Sequence, residues 1–164
     1  MVNSAIGTES DAIEIQKSDD IVCDCPPDDL LVRWALAGVE DDTGAGMTLR
    51  IVGSLEMQQS NHQWRGKDKP TNVLSFPADF PPQAGLSYLG DLLICAEVLE
   101  QESTEQGKAL FDHWAHIVVH GVLHLQGFDH EDDQQAQKME QREREILATL
   151  GVTDPYRHDV DCST

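Results

Sequence analysis

KALFDHWAHIVVHGVLHLQG, residues 108–127, reads as one long helix, and it carries four of the chain's seven histidines. The segment FDH, 128–130, follows it and brings a fifth. At about 100° per residue, His120 and His124 lie one turn apart on one helix face. Two imidazoles at that separation can bind a single tetrahedral cation. Gly127, at the helix end, accepts positive φ and lets the chain reverse, so that FDH can return His130 beside His124. Three neutral histidines around Zn²⁺, with a fourth position open to water, form a catalytic arrangement. His113 and His116 fall on the same side of the helix, and His116 with His120 makes a second H-x-x-x-H pair that spacing alone does not exclude. The set His120, His124 and His130 is preferred because only it includes a turn that gathers a third ligand. His113 and His116 are then packing or outer-shell groups. Asp129 could orient a ligand imidazole, act on the bound water, or close the turn.

The stretch HGVLHLQGFDH (120–130) comes close to the zinc-peptidase signature H-E-x-x-H-x-x-G-x-x-H, but Gly121 stands where the Glu should be. In those peptidases the Glu takes the proton from the zinc-bound water. Glycine cannot, so the site argues against peptidase chemistry. Either another group is the base, or the metal lowers the water pKa far enough to make one less necessary.

Working outward, the pattern gives further elements. AIEIQ (12–16) alternates as a short strand, and PPDDLLVRWALAGVE (26–40) has helical spacing with negative charge in its first turn. MTLRIVG (47–53) is a strand, SLEMQQSNHQW (54–64) a helix with Ser54 as a plausible N-cap, and TNVLSFP (71–77) a strand ended by Pro77. ADFPPQAG is a Pro/Gly loop. GDLLICAEVL (90–99) starts as a strand and passes into a helix ending near Gly107, and DQQAQKMEQREREILATLG (133–151) is the last helix. Strands precede and interleave with helices. The expectation is therefore an α+β (mixed α/β) fold: a small mixed sheet with helices packed on it, one zinc-hydrolase-like helix carrying the metal ligands. The 164 residues fit one domain, 1–164, with 1–10 and 153–164 loosely ordered.

Composition narrows the class. A hydrophobic content of 40% and a charged content of 25% suit a soluble globular protein. No apolar run approaches the roughly 20 residues that span a bilayer. The polar, acidic N-terminus lacks the features of a secretory signal, so a cytoplasmic location is expected, without a membrane partner. Cys23, Cys25, Cys95 and Cys162 supply neither a disulfide framework nor the second cysteine pair of a zinc knuckle, and are expected to be reduced thiols. The net charge of −19 repels nucleic acid at long range. It is uneven, however: residues 1–45 hold 11 acidic and 2 basic side chains, whereas RGKDK (65–69) gathers three cations in five positions. On composition alone RGKDK is a solvated turn.

With these residues in view, the chain resembles the YbeY family of bacterial endoribonucleases, the ribosomal RNA maturation factors. HGVLHLQGFDH (120–130) is similar to the family signature almost letter for letter. NHQWRGKDKPTNVLSFP (61–77) and YLGDLLIC (88–95) are similar to two further family blocks, and with HWAH (113–116) the likeness covers roughly residues 45–150. The resemblance implies a metal-dependent, single-strand-specific endoribonuclease in small-subunit ribosomal RNA 3′ end maturation and ribosome quality control. Its metal ligands map onto His120, His124 and His130, with one Zn²⁺ per chain. Its functionally important arginine maps onto Arg65, which makes Arg65 and His120 the catalytic candidates and Arg65, Lys67 and Lys69 the phosphate contacts. The implied partners are single-stranded ribosomal RNA and the small ribosomal subunit with its proteins, one of which could deliver RNA to so acidic a body. The general base is unassigned: Asp129, a ribose 2′-hydroxyl route and metal hydroxide alone are all open. Two rivals are a peptidase-like zinc hydrolase and a non-enzymatic assembly factor with a structural zinc.

Overall fold

The structure is a computed structural model and describes residues 13–40, 46–78, 88–128 and 131–152. Asp129, His130, Cys162, most of the Pro/Gly loop and the two ends expected to be loose lie outside the described residues. The described elements run β1 (Ile13–Lys17), α1 (Asp28–Gly38), β2 (Gly46–Val52), α2 (Ser54–Arg65), β3 (Val73–Pro77), β4 (Tyr88–Cys95), α3 (Ala96–Gln106), α4 (Leu110–Leu125) and α5 (Asp133–Thr149). Strands form one mixed sheet in the order β1-β2-β4-β3. The β1/β2 and β2/β4 pairs are parallel, and β3 runs antiparallel to β4 at one edge. The expected mixed sheet with helices packed on it is what forms.

Period-2 alternation sorts the sheet into two faces. Met47, Leu49, Ile51, Leu92 and Ile94 enter the large core with α1 and α4. Val52, Leu74, Leu93 and Cys95 form a smaller cluster on the other face, under Met57 of α2. The edge strand β3 serves both sides, with Val73 against the large core and Phe76 against the small cluster.

The central helix α4 is buried almost all round, with Trp114, Ala115, Val118, Val119, Val122 and Leu123 fully enclosed. A helix enclosed on most of its circumference belongs in the middle of a domain. Its close approach to the sheet explains Gly121. A Cβ at that position would lie 2.8 Å from Leu92 Cδ2 and 3.0 Å from Cδ1. The glutamate of a zinc-peptidase helix therefore has no room here: it would point into β4 rather than into a site. The helix ends as expected, with Gly127 at φ 100°. Phe128 N–H donates to Leu123 O at 3.2 Å and Gly127 N–H to His124 O at 3.1 Å, which turns the chain back past His124.

Ser54 is not the N-cap of α2 but its first residue. Gly53 holds the cap position, and Glu97 at the start of α3 accepts from both Ser54 N–H (2.9 Å) and Ser54 Oγ–H. A carboxylate from a neighbouring helix thus satisfies the N–H of the first helical residue and engages the hydroxyl that was expected to cap. At the other end of the chain, Asp132 does cap α5, accepting from Gln135 N–H at 2.8 Å.

Gly121→Val should lower stability by about 2 kcal/mol, because overpacking a close helix–sheet contact forces Leu92 off its position. For a chain of this length that is a fall in Tm of roughly 4–8 °C by calorimetry. An unchanged Tm would show that α4 does not depend on its approach at Gly121.

Candidate metal centre and basic turn

Four histidines of α4 form a ladder along one face. Ring centroids of His113 and His116 are 6.2 Å apart, those of His116 and His120 6.1 Å, and those of His120 and His124 4.7 Å. Side-chain exposure rises along it, from 4% at His113 to 13% at His116 and 22% at His120. The ladder therefore opens toward the C-terminal end of α4, where a substrate could reach it. That end also carries the negative pole of the helix, which favours a cation.

Each of the first three rungs is held by a carboxylate. His113 Nε2 meets Glu102 Oε1 of α3 at 2.8 Å, and Glu102 also accepts from Asn72 Nδ2 at 3.3 Å. Glu143 of α5, fully buried, accepts from His116 Nε2 at 3.0 Å and from His120 Nδ1 at 2.6 Å. An ionised carboxylate only accepts hydrogen bonds, so with Glu143 charged those two ring nitrogens would carry the protons. In that tautomer Nε2 would be the atom through which His120 ligates a cation. Burial lowers the His116 pKa, with Glu143 pulling the other way, so its contact with Glu143 is a hydrogen bond from a neutral ring.

Glu143 was not among the residues expected at the site. Its signal lies in α5, where the buried positions are Met139, Glu143, Ile146 and Leu147. A glutamate on an apolar helical stripe needs a buried partner, and the histidine ladder is that partner. His116, His120 and Glu143 place three ligand atoms within 4.8 Å of one another, which is a possible metal-binding triad. The donor set suits a borderline divalent cation: imidazoles on one helix face with a buried carboxylate behind them. The expected ligands His120 and His124 are adjacent in the structure, and His130 is outside the described residues.

The basic turn follows α2. Gly66 caps the helix with φ 72° in the left-handed region, and its N–H donates to His62 O at 3.0 Å. Asn61 is buried, and its Nδ2 donates to Lys69 O at 2.7 Å while its own carbonyl accepts from Lys67 N–H at 3.3 Å. Gln58 holds Asp68 Oδ1 at 3.0 Å. RGKDK is thus a turn fixed through its backbone, with Arg65, Lys67 and Lys69 displayed outward. Among the described residues none of these three cations forms an ion pair. Nor does any hydrogen bond among them join Arg65 to the ladder. The edge strand β3, which begins just beyond the turn, packs on α4.

Other candidates carry less chemistry. Burial pushes the Cys23 thiol up to about 11 and raises those of Cys25 and Cys95, which disfavours thiolate at neutral pH. None of the described helices is long and apolar enough to cross a membrane.

Comparison with known proteins joins these features. The family model described as Endoribonuclease YbeY matches residues 29–151, further toward the N-terminus than the motifs alone reach. The chain is 52% identical over 139 residues to the Endoribonuclease YbeY of Alkalilimnicola ehrlichii, covering 82% of this chain and 84% of that protein. It shares its fold with the solution structure of TM1509 from Thermotoga maritima, at a TM-score of 0.53 and 22% identity, over 88% of this chain and 98% of the other. With α1 through α5 spanned by the match, this chain belongs to the Endoribonuclease YbeY family.

Proposed function

We propose that this protein is a metal-dependent endoribonuclease that cuts single-stranded RNA in the cytoplasm, acting in small-subunit ribosomal RNA 3′ end maturation and ribosome quality control. His120, His124 and His130 would hold one Zn²⁺, with Glu143 fixing the ring of His120. The observation that carries the reading is the Glu143–His120 contact, a buried carboxylate that orients an imidazole at the open end of a histidine ladder. A peptidase is disfavoured by the packing of Gly121 on Leu92.

The roles of the chain's own groups follow from their chemistry. When bound, a divalent cation supplies Lewis acidity to a phosphodiester and lowers the pKa of nearby water. Arg65 offers a planar fork that matches two phosphate oxygens, and neutralises charge developing on the reacting phosphate. Lys67 and Lys69 are point charges for neighbouring phosphates. His120 is a positioning and ligand group rather than the base, since its Nδ1–H is committed to Glu143. The acidic body, at −19 overall, makes three cations a weak RNA grip at physiological salt. Delivery by the small ribosomal subunit or its proteins fits that charge balance.

Arg65→Ala should reduce kcat/KM on single-stranded RNA by roughly 30- to 100-fold, the loss of a charge-assisted bidentate contact, and Arg65→Lys should fall between. A wild-type rate for Arg65→Ala would remove the phosphate role. The cation's place can be read by zinc competition with a chromophoric chelator. His124→Ala should weaken zinc binding by at least two orders of magnitude, and His116→Ala by tenfold or less. The reverse ranking would put the cation in the inner triad of His116, His120 and Glu143. Glu143→Gln keeps the shape of the side chain but weakens its hold on His120. It should raise the zinc Kd by roughly 10- to 100-fold while the protein stays folded by circular dichroism.

A further inference from the structure

The basic turn has an aromatic neighbour that the site described above does not use. Trp64, the residue before Arg65, is 61% exposed, whereas Trp34 and Trp114 are buried. It is held in place: its ring meets Phe76 edge-on, with centroids 5.9 Å apart and planes at 68°. The indole stands at the lip of a cleft of about 310 Å³ between α2 and the outer face of the sheet, with Gln16, Thr48, Arg50, Phe76 and Asp91 among its lining. The polar groups of that cleft are already oriented. Arg50 is clamped by Glu56 at 2.8 and 3.0 Å, and Tyr88 OH bridges Thr48 Oγ1 (2.6 Å) and Asp91 Oδ1 (2.5 Å).

We propose that Trp64, braced by Phe76, is a base-stacking platform for single-stranded RNA at the mouth of this cleft. A flat π-face beside displayed cations fits a nucleotide: base on the ring, phosphate on the charge. Arg65, Lys67 and Lys69 lie within five residues of Trp64 in a turn fixed by Asn61, so ring and cations keep one geometry. An unpaired base can stack there, whereas a base within a duplex already has neighbours on both faces. The platform therefore supplies selection for single strands by stacking. A duplex has no free face to offer it. The inference rests on the RNA-cleaving function proposed above and names a binding residue for it.

Two measurements separate this inference from that function. In the first, tryptophan fluorescence is titrated with a non-cleavable 2′-O-methyl oligoribonucleotide, single-stranded or annealed to its complement. The single strand should quench the exposed Trp64 signal, and the duplex should quench it several-fold less. Trp64→Ala should abolish the quench, and Trp64→Phe should retain binding. In the second, Trp64→Ala should raise KM for single-stranded RNA by roughly tenfold with kcat within twofold, and Trp64→Phe should recover most of the loss. An unchanged KM in Trp64→Ala, or equal quenching by duplex and single strand, overturns the platform and leaves a protein partner as the occupant of the indole. If the wild-type protein cuts no RNA yet the single strand still quenches Trp64, the nuclease reading fails and the platform stands.

Discussion

A single buried carboxylate organises the functional half of this molecule. Glu143 is wholly enclosed between α5 and α4, where an unpartnered charge would be untenable. Hydrogen bonds to His116 and His120 make it tolerable. The same contact pins α5 across α4, with Met139, Ile146 and Leu147 closing the apolar surface on either side. Stability and site geometry are therefore coupled: the bonds that allow the carboxylate to be buried also aim an imidazole. Such a network favours one arrangement, because removing either imidazole takes away one of the hydrogen bonds that offset burial of the carboxylate.

Gly121 belongs to the same argument from a neighbouring face of the helix, about a quarter turn from the ladder. For α4 to sit deep in the core, one face must approach the sheet at Leu92 closely enough that a side chain is excluded. The ladder face then turns toward α3 and α5, which supply Glu102 and Glu143. A catalytic glutamate at position 121 and a helix seated this deep are mutually exclusive. The departure from the peptidase signature is thus a packing requirement, and it moves the acidic partners from α4 itself to the helices around it.

Most of the architecture could be read from local pattern. The alternation in β1 and β2, the apolar runs of β4 and α4, and the proline and glycine punctuation fixed element type nearly throughout. The misassigned cap at Ser54 shows the limit, since the competing acceptor, Glu97, lies 43 residues away. The site divides in the same manner. His120 and His124 were legible as neighbours because one helical turn relates them, and Gly127 takes the positive φ expected of it at the helix end. Glu143 was not, because its partners are 23 and 27 residues distant, and only a tertiary contact makes a glutamate on an apolar stripe meaningful. Trp64 escaped for a different reason. Helical spacing says nothing of whether an indole at a helix end will be covered, and here it is left open beside Phe76.

The charge distribution gives the sheet edge its significance. A net charge of −19 opposes an anionic polymer over the whole surface, so any approach must be confined to where cations stand without acidic partners. Among the described residues Arg65, Lys67 and Lys69 meet that condition as a cluster, three cations without an ion pair within five positions, and Asn61 fixes the turn that displays them. The strand that follows the turn, β3, has no neighbour on its outer side in the sheet among the described residues, and its side chains reach both faces. Phe76 braces the exposed indole on one face while Val73 joins the core of α4 on the other. β3 thus joins the turn and the indole to the helix that carries the histidines.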